Sequence, residues 1–204
     1  PVLSEEGRIL NPPNFSLWHN YPIAEKLKEI INVEIVFDNI SKAAAVCEKY
    51  FGAASDFENF ICIVVDEGIG AGVFKNNILL NIPCELGHIT IEHNGILCEC
   101  GNRGCLEKYA SVPAMVKAFR LNSWKDAGED AIKQEAEYLS SAIITASNIF
   151  AADNVVLSGS ILENSKQLTG MISADLSRSL FNKKVKIAEG NIKSRTLMAS
   201  ALAI

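Results

Sequence analysis

The chain has 204 residues, 49% of them hydrophobic and 21% charged, with a formal net charge of −5 at pH 7. That length and balance provide for one large domain or two small ones with ample core, and they exclude a disordered chain. No stretch is basic enough for these residues to bind nucleic acid themselves, and the longest apolar runs, such as residues 60–65, are far too short to span a bilayer.

The chain opens on Pro-Val-Leu-Ser-Glu-Glu-Gly, with neither an initiator Met nor a basic-plus-apolar leader, and reads as the interior start of a longer protein. Residues 1–22 hold four of the six prolines and are expected to be extended and irregular, with Trp18 in the core or lying as a lid over a cleft. Apolar residues at 23, 24, 27, 30 and 31 have helical spacing. Residues 33–37 form a β-branched run expected as a buried strand, and residues 41–50 read as a helix stopped by Gly52. A second strand over 60–65 feeds a glycine-rich turn at 66–72, the local geometry of a ligand-facing loop, and Asn76-Asn77 reads as a hairpin turn into 78–80. Helices are expected over 113–121 (with Pro in its first turn), 130–150, 164–179 and 197–203, strands at 155–157 and 185–188, and a turn at Ser158-Gly159-Ser160. Strands alternating with helices imply an α/β protein whose mixed or parallel sheet carries helices on its faces.

The chemistry is concentrated in residues 85–107, which hold Cys98, Cys100, Cys105, His88 and His93, with Glu85 and Glu107 at the ends. Cys98 and Cys100 are two apart, so in extended chain both thiols point to one side. Gly101 and Gly104 then allow a reversal that brings Cys105 back to them. His88 lies across an expected strand at 89–92 and a turn at Asn94-Gly95. Three thiolates and one neutral imidazole make a closed tetrahedral set suited to Zn²⁺, and a filled set makes the ion structural and not catalytic. His93 competes as a ligand but reads as a solvated loop residue, while Cys47, Cys62 and Cys84 read as core. Six cysteines also admit three disulfides, but a chain of this size needs no stapling and the spacing is lopsided. A reducing, cytoplasmic compartment with a metal site is therefore expected.

The run Glu85-Leu-Gly-His88, nine residues, then Cys98-x-Cys100-Gly-Asn-Arg-Gly-Cys105-Leu-Glu107 resembles the signature of the ROK family (repressors, open reading frames, kinases), and the resemblance extends from the Trp18 region to the final helix. It implies the actin-like (ribonuclease-H-like) ATPase fold, with residues 39–190 as the larger lobe, and residues 1–38 and the C-terminal helix within 191–204 as part of the smaller lobe. It also implies zinc ligands at His88, Cys98, Cys100 and Cys105, and sugar contacts at Asn39, Glu85, His88 and Glu107. The physical rationale is that carboxylates accept hydrogen bonds from sugar hydroxyls, and a metal bound close to Glu85 and Glu107 in sequence holds both acceptors in place.

Kinases of that family carry a catalytic Asp in an Asn-Asp-Ala-Asn-Ala-Ala-Ala type run. Aligned on Ala43-Ala44-Ala45, the position falls on Ile40, whose alkyl side chain cannot accept a proton. Asp38, two positions away, would serve only in a shifted register. The family's Gly-Thr-Gly-Ile-Gly-Ala-Gly is here Asp66-Glu67-Gly68-Ile69-Gly70-Ala71-Gly72, which sets two carboxylates beside the phosphates, and its Gly-Gly-Gly is Ser158-Gly159-Ser160. The resemblance thus implies the sugar-sensing effector part of a regulator of the NagC/XylR type. Such a part binds a sugar or sugar phosphate without phosphorylating it and contains structural zinc. It engages DNA through a helix-turn-helix outside this chain and works as a cytoplasmic homodimer with no membrane contact. A zinc-containing sugar kinase of the same family is the alternative, and a metal-stabilised interaction module with no small ligand is a third reading.

Overall fold

The computed structural model describes residues 2–3, 6–10, 12, 16–179 and 184–203. In chain order its elements are β1 (Val2–Leu3), β2 (Arg8–Ile9), α1 (Ile23–Lys28), α2 (Ile40–Phe51), β3 (Phe60–Val65), β4 (Ile69–Lys75), β5 (Ile78–Leu79), α3 (Glu107–Ala110), α4 (Val112–Ala118), α5 (Glu129–Phe150), β6 (Asn154–Ser158), α6 (Ser165–Ser179), β7 (Lys186–Glu189) and α7 (Arg195–Ala201). One five-stranded sheet runs β5-β4-β3-β6-β7. β3, β4 and β5 form an antiparallel meander, whereas β6 and β7 lie parallel to β3. The meander needs only tight turns, and Asn76 and Asn77, with φ of 51° and 63°, make the one between β4 and β5. The parallel pairs need crossovers, supplied by α3 to α5 before β6 and by α6 before β7.

The two faces of β3 separate the core into two halves, as the period of a strand requires. Ile61, Ile63 and Val65 point into the larger half with Val155 and Leu157 of β6, covered by Ile132, Leu139 and Ile143 of α5 and by Leu168 and Ile172 of α6. Phe60, Cys62 and Val64 point into the smaller half, covered by Ala43 to Cys47 of α2 and by Met198 and Ala201 of α7. There Phe60 and Phe74 stack with ring centroids 5.0 Å apart. α2 is rich in alanine because it must lie close to the sheet. A Cβ on Gly72 would sit 2.7 Å from the Cβ of Ala45 and 2.8 Å from the Ser41 carbonyl oxygen. The expected glycine-rich turn therefore divides. Residues 66–68 turn, and the glycines at 70 and 72 belong to β4 and serve helix packing.

Two buried glutamates sit on these helices. Glu48 of α2 is fully satisfied, accepting from the Ala53 amide (2.8 Å) and the Ile192 amide (3.0 Å), and it ties the end of α2 to the segment after β7. Glu135 of α5 is equally buried, but neither of its oxygens has a hydrogen-bond partner among the described residues, and burial pushes its carboxyl well above the ordinary glutamate value.

Several expectations are corrected. Residues 33–37 form no strand, and Val33 and Val36 are exposed, because no neighbouring strand pairs with them among the described residues. The first expected helix stops at Lys28 and buries none of its residues. Trp18 is 44% exposed and stacks on Tyr21 instead of entering the core. The tryptophan of the core is Trp124, whose indole N–H donates to the Ile161 carbonyl at 2.9 Å. The irregular stretch expected over residues 1–22 falls partly outside the described residues; the remainder includes the β1–β2 pair.

Candidate functional site

β3 and β6 run parallel and end together, with Val64 opposite Ser158, and the chain leaves both strands in turns at the same edge of the sheet. Backbone groups past the carboxyl ends of parallel strands are free to face a ligand. A cleft of about 470 Å³ lies at this edge. Asn39 lines it from the residue preceding α2, Glu85 from the entry to a short 3₁₀ turn (Leu86–His88), and Glu107 from the first position of α3. Glu107 Oε2 accepts the Ile69 amide at 2.8 Å, which fixes one carboxylate oxygen against the start of β4. Ile40 also lines the cleft and is 48% exposed. Cys84 and Arg195 join the lining, which sequence reasoning did not foresee. Cys84 had been expected in the core and is only half buried, being set beside Glu85 on irregular chain. Cys47 and Cys62 are buried, as expected.

Asp38 lies outside the cleft lining and pairs with Lys42 one helical turn on, at 3.2 Å, while Lys42 also donates to Asn81 at 3.0 Å. Residues 29–39, directly before α2, form no strand that could slide Asp38 into the place of Ile40. A second hollow of about 270 Å³ adjoins the cleft and shares Ile40, Val64, Asp66 and Arg195 with it. Between them Asp66 Oδ1 accepts from the Ser160 amide (2.6 Å) and the Ser160 hydroxyl (2.7 Å). An amide and a hydroxyl in such a turn suit an anion, and here a side chain of the protein itself supplies one.

The cysteine loop folds back on itself as a knuckle. Cys98 N–H donates to the Asn102 carbonyl at 2.8 Å, Gly101 N–H to the Cys98 carbonyl at 2.9 Å, and Thr90 bridges Cys105. Gly101 and Gly104 have φ of +90° and +69°, and a Cβ on Gly104 would collide with the Glu92 carbonyl oxygen. Residues 89–92 do not form the expected strand, since the short bridge at Thr90 is their only pairing of that kind among the described residues. The donor atoms of His88, Cys98, Cys100 and Cys105 all lie within 4.8 Å of one another, a cluster that could hold a metal ion. Cys98 Sγ is 3.6 Å from His88 Nδ1, and Cys100 Sγ is 3.6 Å from Cys105 Sγ. Tetrahedral zinc bonds would set these separations at ~3.6 Å and ~3.8 Å, so the set fits that ion. The thiols point the same way. Burial raises the Cys98 thiol and holds that of Cys105 up at about 12, whereas the Asn102 backbone N–H lowers Cys100. Three crowded thiols ionise together only beside a cation. His93 is exposed and outside the cluster, and His88 belongs to it without lining the cleft.

The mixed sheet, its helical cover and the site at the strand ends define an actin-like ATPase fold. A ROK family glucokinase from Streptomyces griseus, solved with glucose and AMPPNP, superposes with a TM-score of 0.83 at 20% identity over 98% of this chain and 77% of that one. A ROK family transcriptional regulator homologous to the E. coli MLC protein superposes with a TM-score of 0.84 at 26% identity, over 98% of this chain and 59% of that one. The chain belongs to the ROK family, whose sequence model matches residues 1–201. It is 30% identical over 199 residues to a xylose repressor of Bacillus subtilis, covering 89% of this chain and 52% of the repressor. It is 37% identical over 120 residues to a glucokinase of Thermotoga maritima, covering 57% of this chain and 38% of that enzyme. The chain thus spans about half the length, or less, of these curated relatives. Among the described residues, no helix is long and apolar enough to cross a membrane.

Proposed function

We propose that this chain is the effector-binding part of a ROK transcriptional regulator, which binds a sugar in the cleft between Asn39, Glu85 and Glu107 and does not phosphorylate it. The observation that carries the reading is Ile40. It occupies the wall of the cleft where a phosphoryl-transfer enzyme needs a proton acceptor, and the nearby carboxylate of Asp38 is committed to Lys42. The Asp66 contact to Ser160 supports it, because a carboxylate seated in that turn opposes phosphate both by charge and by occupying the donors. Similarity to xylose repressors supports it as well.

In this reading His88, Cys98, Cys100 and Cys105 hold structural zinc, which fastens the loop between Glu85 and Glu107. His88 presents Nδ1 to the cluster and does not line the cleft, so a contact from it to the sugar would be made through Nε2 at the cleft's margin. Residues 39–190 form the larger lobe, and residues 1–38 and the last helix belong to the smaller one. DNA contact belongs to a helix-turn-helix outside this chain, and the whole regulator acts as a cytoplasmic homodimer. The test is an ATP-coupled assay of the full-length protein with several hexoses and pentoses, run beside calorimetric titration of the same sugars. Binding heat without ADP release is the expected result. Robust phosphorylation that Asp38→Ala abolishes would make the protein a ROK sugar kinase, the reading that glucokinase relatives favour. The absence of heat with every sugar would leave only a metal-stabilised interaction module.

A further inference from the structure

Beyond Glu67 and Glu107, which also line the cleft, opens a larger hollow of about 650 Å³ that the reading above does not use. It lies between the metal loop and helices α3, α4 and α5. Two tyrosines line it, Tyr109 and Tyr138, both half-buried, with ring centroids 5.7 Å apart at 57°. Both rings are held in place by their hydroxyl oxygens. That of Tyr109 accepts the Ile96 amide at 2.8 Å, and that of Tyr138 accepts Gln134 Nε2 at 2.7 Å. Each hydroxyl keeps its own proton to donate. The remaining polar lining includes the Glu99–Lys108 ion pair, at 2.8 Å, and Lys117.

Fixed aromatic rings bordered by carboxylate, ammonium and amide groups are complementary to a pyranose, which presents apolar C–H groups and an edge of hydroxyls that both donate and accept. An anion is disfavoured. Three carboxylates (Glu67, Glu99, Glu107) line the hollow against two ammonium groups (Lys108, Lys117), and one of those is already paired. A wholly apolar ligand would leave the charged lining without its water. We propose that this hollow is a second sugar subsite, so that the ligand is a neutral disaccharide or other glycoside, with one ring in the cleft at Glu107 and the next against Tyr109 and Tyr138. The proposal rests on the reading of the cleft as a sugar site and adds the size and charge of the ligand.

Calorimetric titration of the purified protein with glucose, xylose, cellobiose, maltose, xylobiose and glucose 6-phosphate tests it. At least one disaccharide is expected to bind about tenfold or more tighter than its constituent monosaccharide. Tyr138→Ala, and separately the exposed Gln134→Ala, should bring that ratio close to one. Gln134 is a surface position, so its variant reads the subsite even where the tyrosine variant folds poorly. Monosaccharides binding as tightly as every disaccharide would overturn the subsite while leaving the cleft reading intact. So would glucose 6-phosphate binding tightest, or an affinity ratio that neither variant moves. No heat with any of these sugars sinks the cleft reading and the subsite together.

Discussion

Glu135 offers a sharp test of the physical reasoning because nothing compensates its burial. The side chain is fully enclosed on α5, and both oxygens lack a hydrogen-bond partner among the described residues. Burial raises its carboxyl well above the ordinary value near 4.5. The sign of the consequence follows. Above about pH 4.5 the unfolded chain releases this proton and the folded chain keeps it, so folding takes up a proton and stability falls as pH rises. The loss amounts to about 1.4 kcal/mol per pH unit, from the unfolded value up to the folded one, and then stops. A buried, unpartnered polar group costs a further ~1–3 kcal/mol at any pH. Glu135→Leu removes both penalties and Glu135→Gln only the titrating one. Urea denaturation at pH 5, 6, 7 and 8 is the assay. At pH 5 the Leu variant should exceed the wild type by the unpartnered-group cost plus under ~1 kcal/mol of titration. Its advantage should widen as pH rises, by at most about 1.4 kcal/mol per unit, until the folded carboxyl itself titrates. The Gln variant should lie near the wild type at pH 5 and above it at pH 7. A Leu variant less stable than the wild type at pH 7, with an unchanged pH slope, would refute the reasoning and require a partner for Glu135.

Cys105→Ser should abolish metal retention, measured by elemental analysis. It should also lower the thermal midpoint by about 2–4 °C for each kcal/mol of metal-linked folding free energy lost, and a strong chelator should do the same to the wild type. Gly72→Ala should cost roughly 1–3 kcal/mol in urea denaturation, because the added methyl meets Ala45 and the Ser41 carbonyl at under 3 Å. A neutral result would mean that α2 can shift. Glu107→Ala should weaken the tightest-binding sugar by roughly 10- to 100-fold, the worth of hydrogen bonds to a charged group. Glu107→Gln, whose amide oxygen still accepts the Ile69 N–H, should keep the wild-type melting temperature.

The elements legible from sequence were those whose pattern is fixed by burial on a known period. β3 is enclosed on both faces and reads as an unbroken apolar run, and α5 repeats its apolar residues for 22 residues. The run at 33–37 has the same β-branched character but no partner strand among the described residues, and pairing is a tertiary fact that composition does not carry. The cysteine cluster could be read because thiols, glycines and a histidine so spaced have few other uses, and the fold does bring the four donors together. Asn39, Glu85 and Glu107 meet in one cleft although 68 residues separate the first from the last, a convergence that the motif suggested and spacing could not. The Asp66–Ser160 contact was out of reach. The acidic substitution was visible, but the turn it binds lies 94 residues on and meets it only through the parallel pairing of β3 and β6.

The close seating of α2 on β4 has a mechanical consequence. Ala45 and Ser41 lie so close to Gly72 that the helix rests on the strand backbone itself, and sliding it would carry it onto neighbouring residues that do bear a Cβ. Shear is therefore blocked along the seam that positions Asn39 and Ile40, and those residues move only as a rigid piece with the β3–β4 hairpin. Chain without such a seam is freer to rearrange, and on the N-terminal side that is residues 29–39, which form no helix or strand.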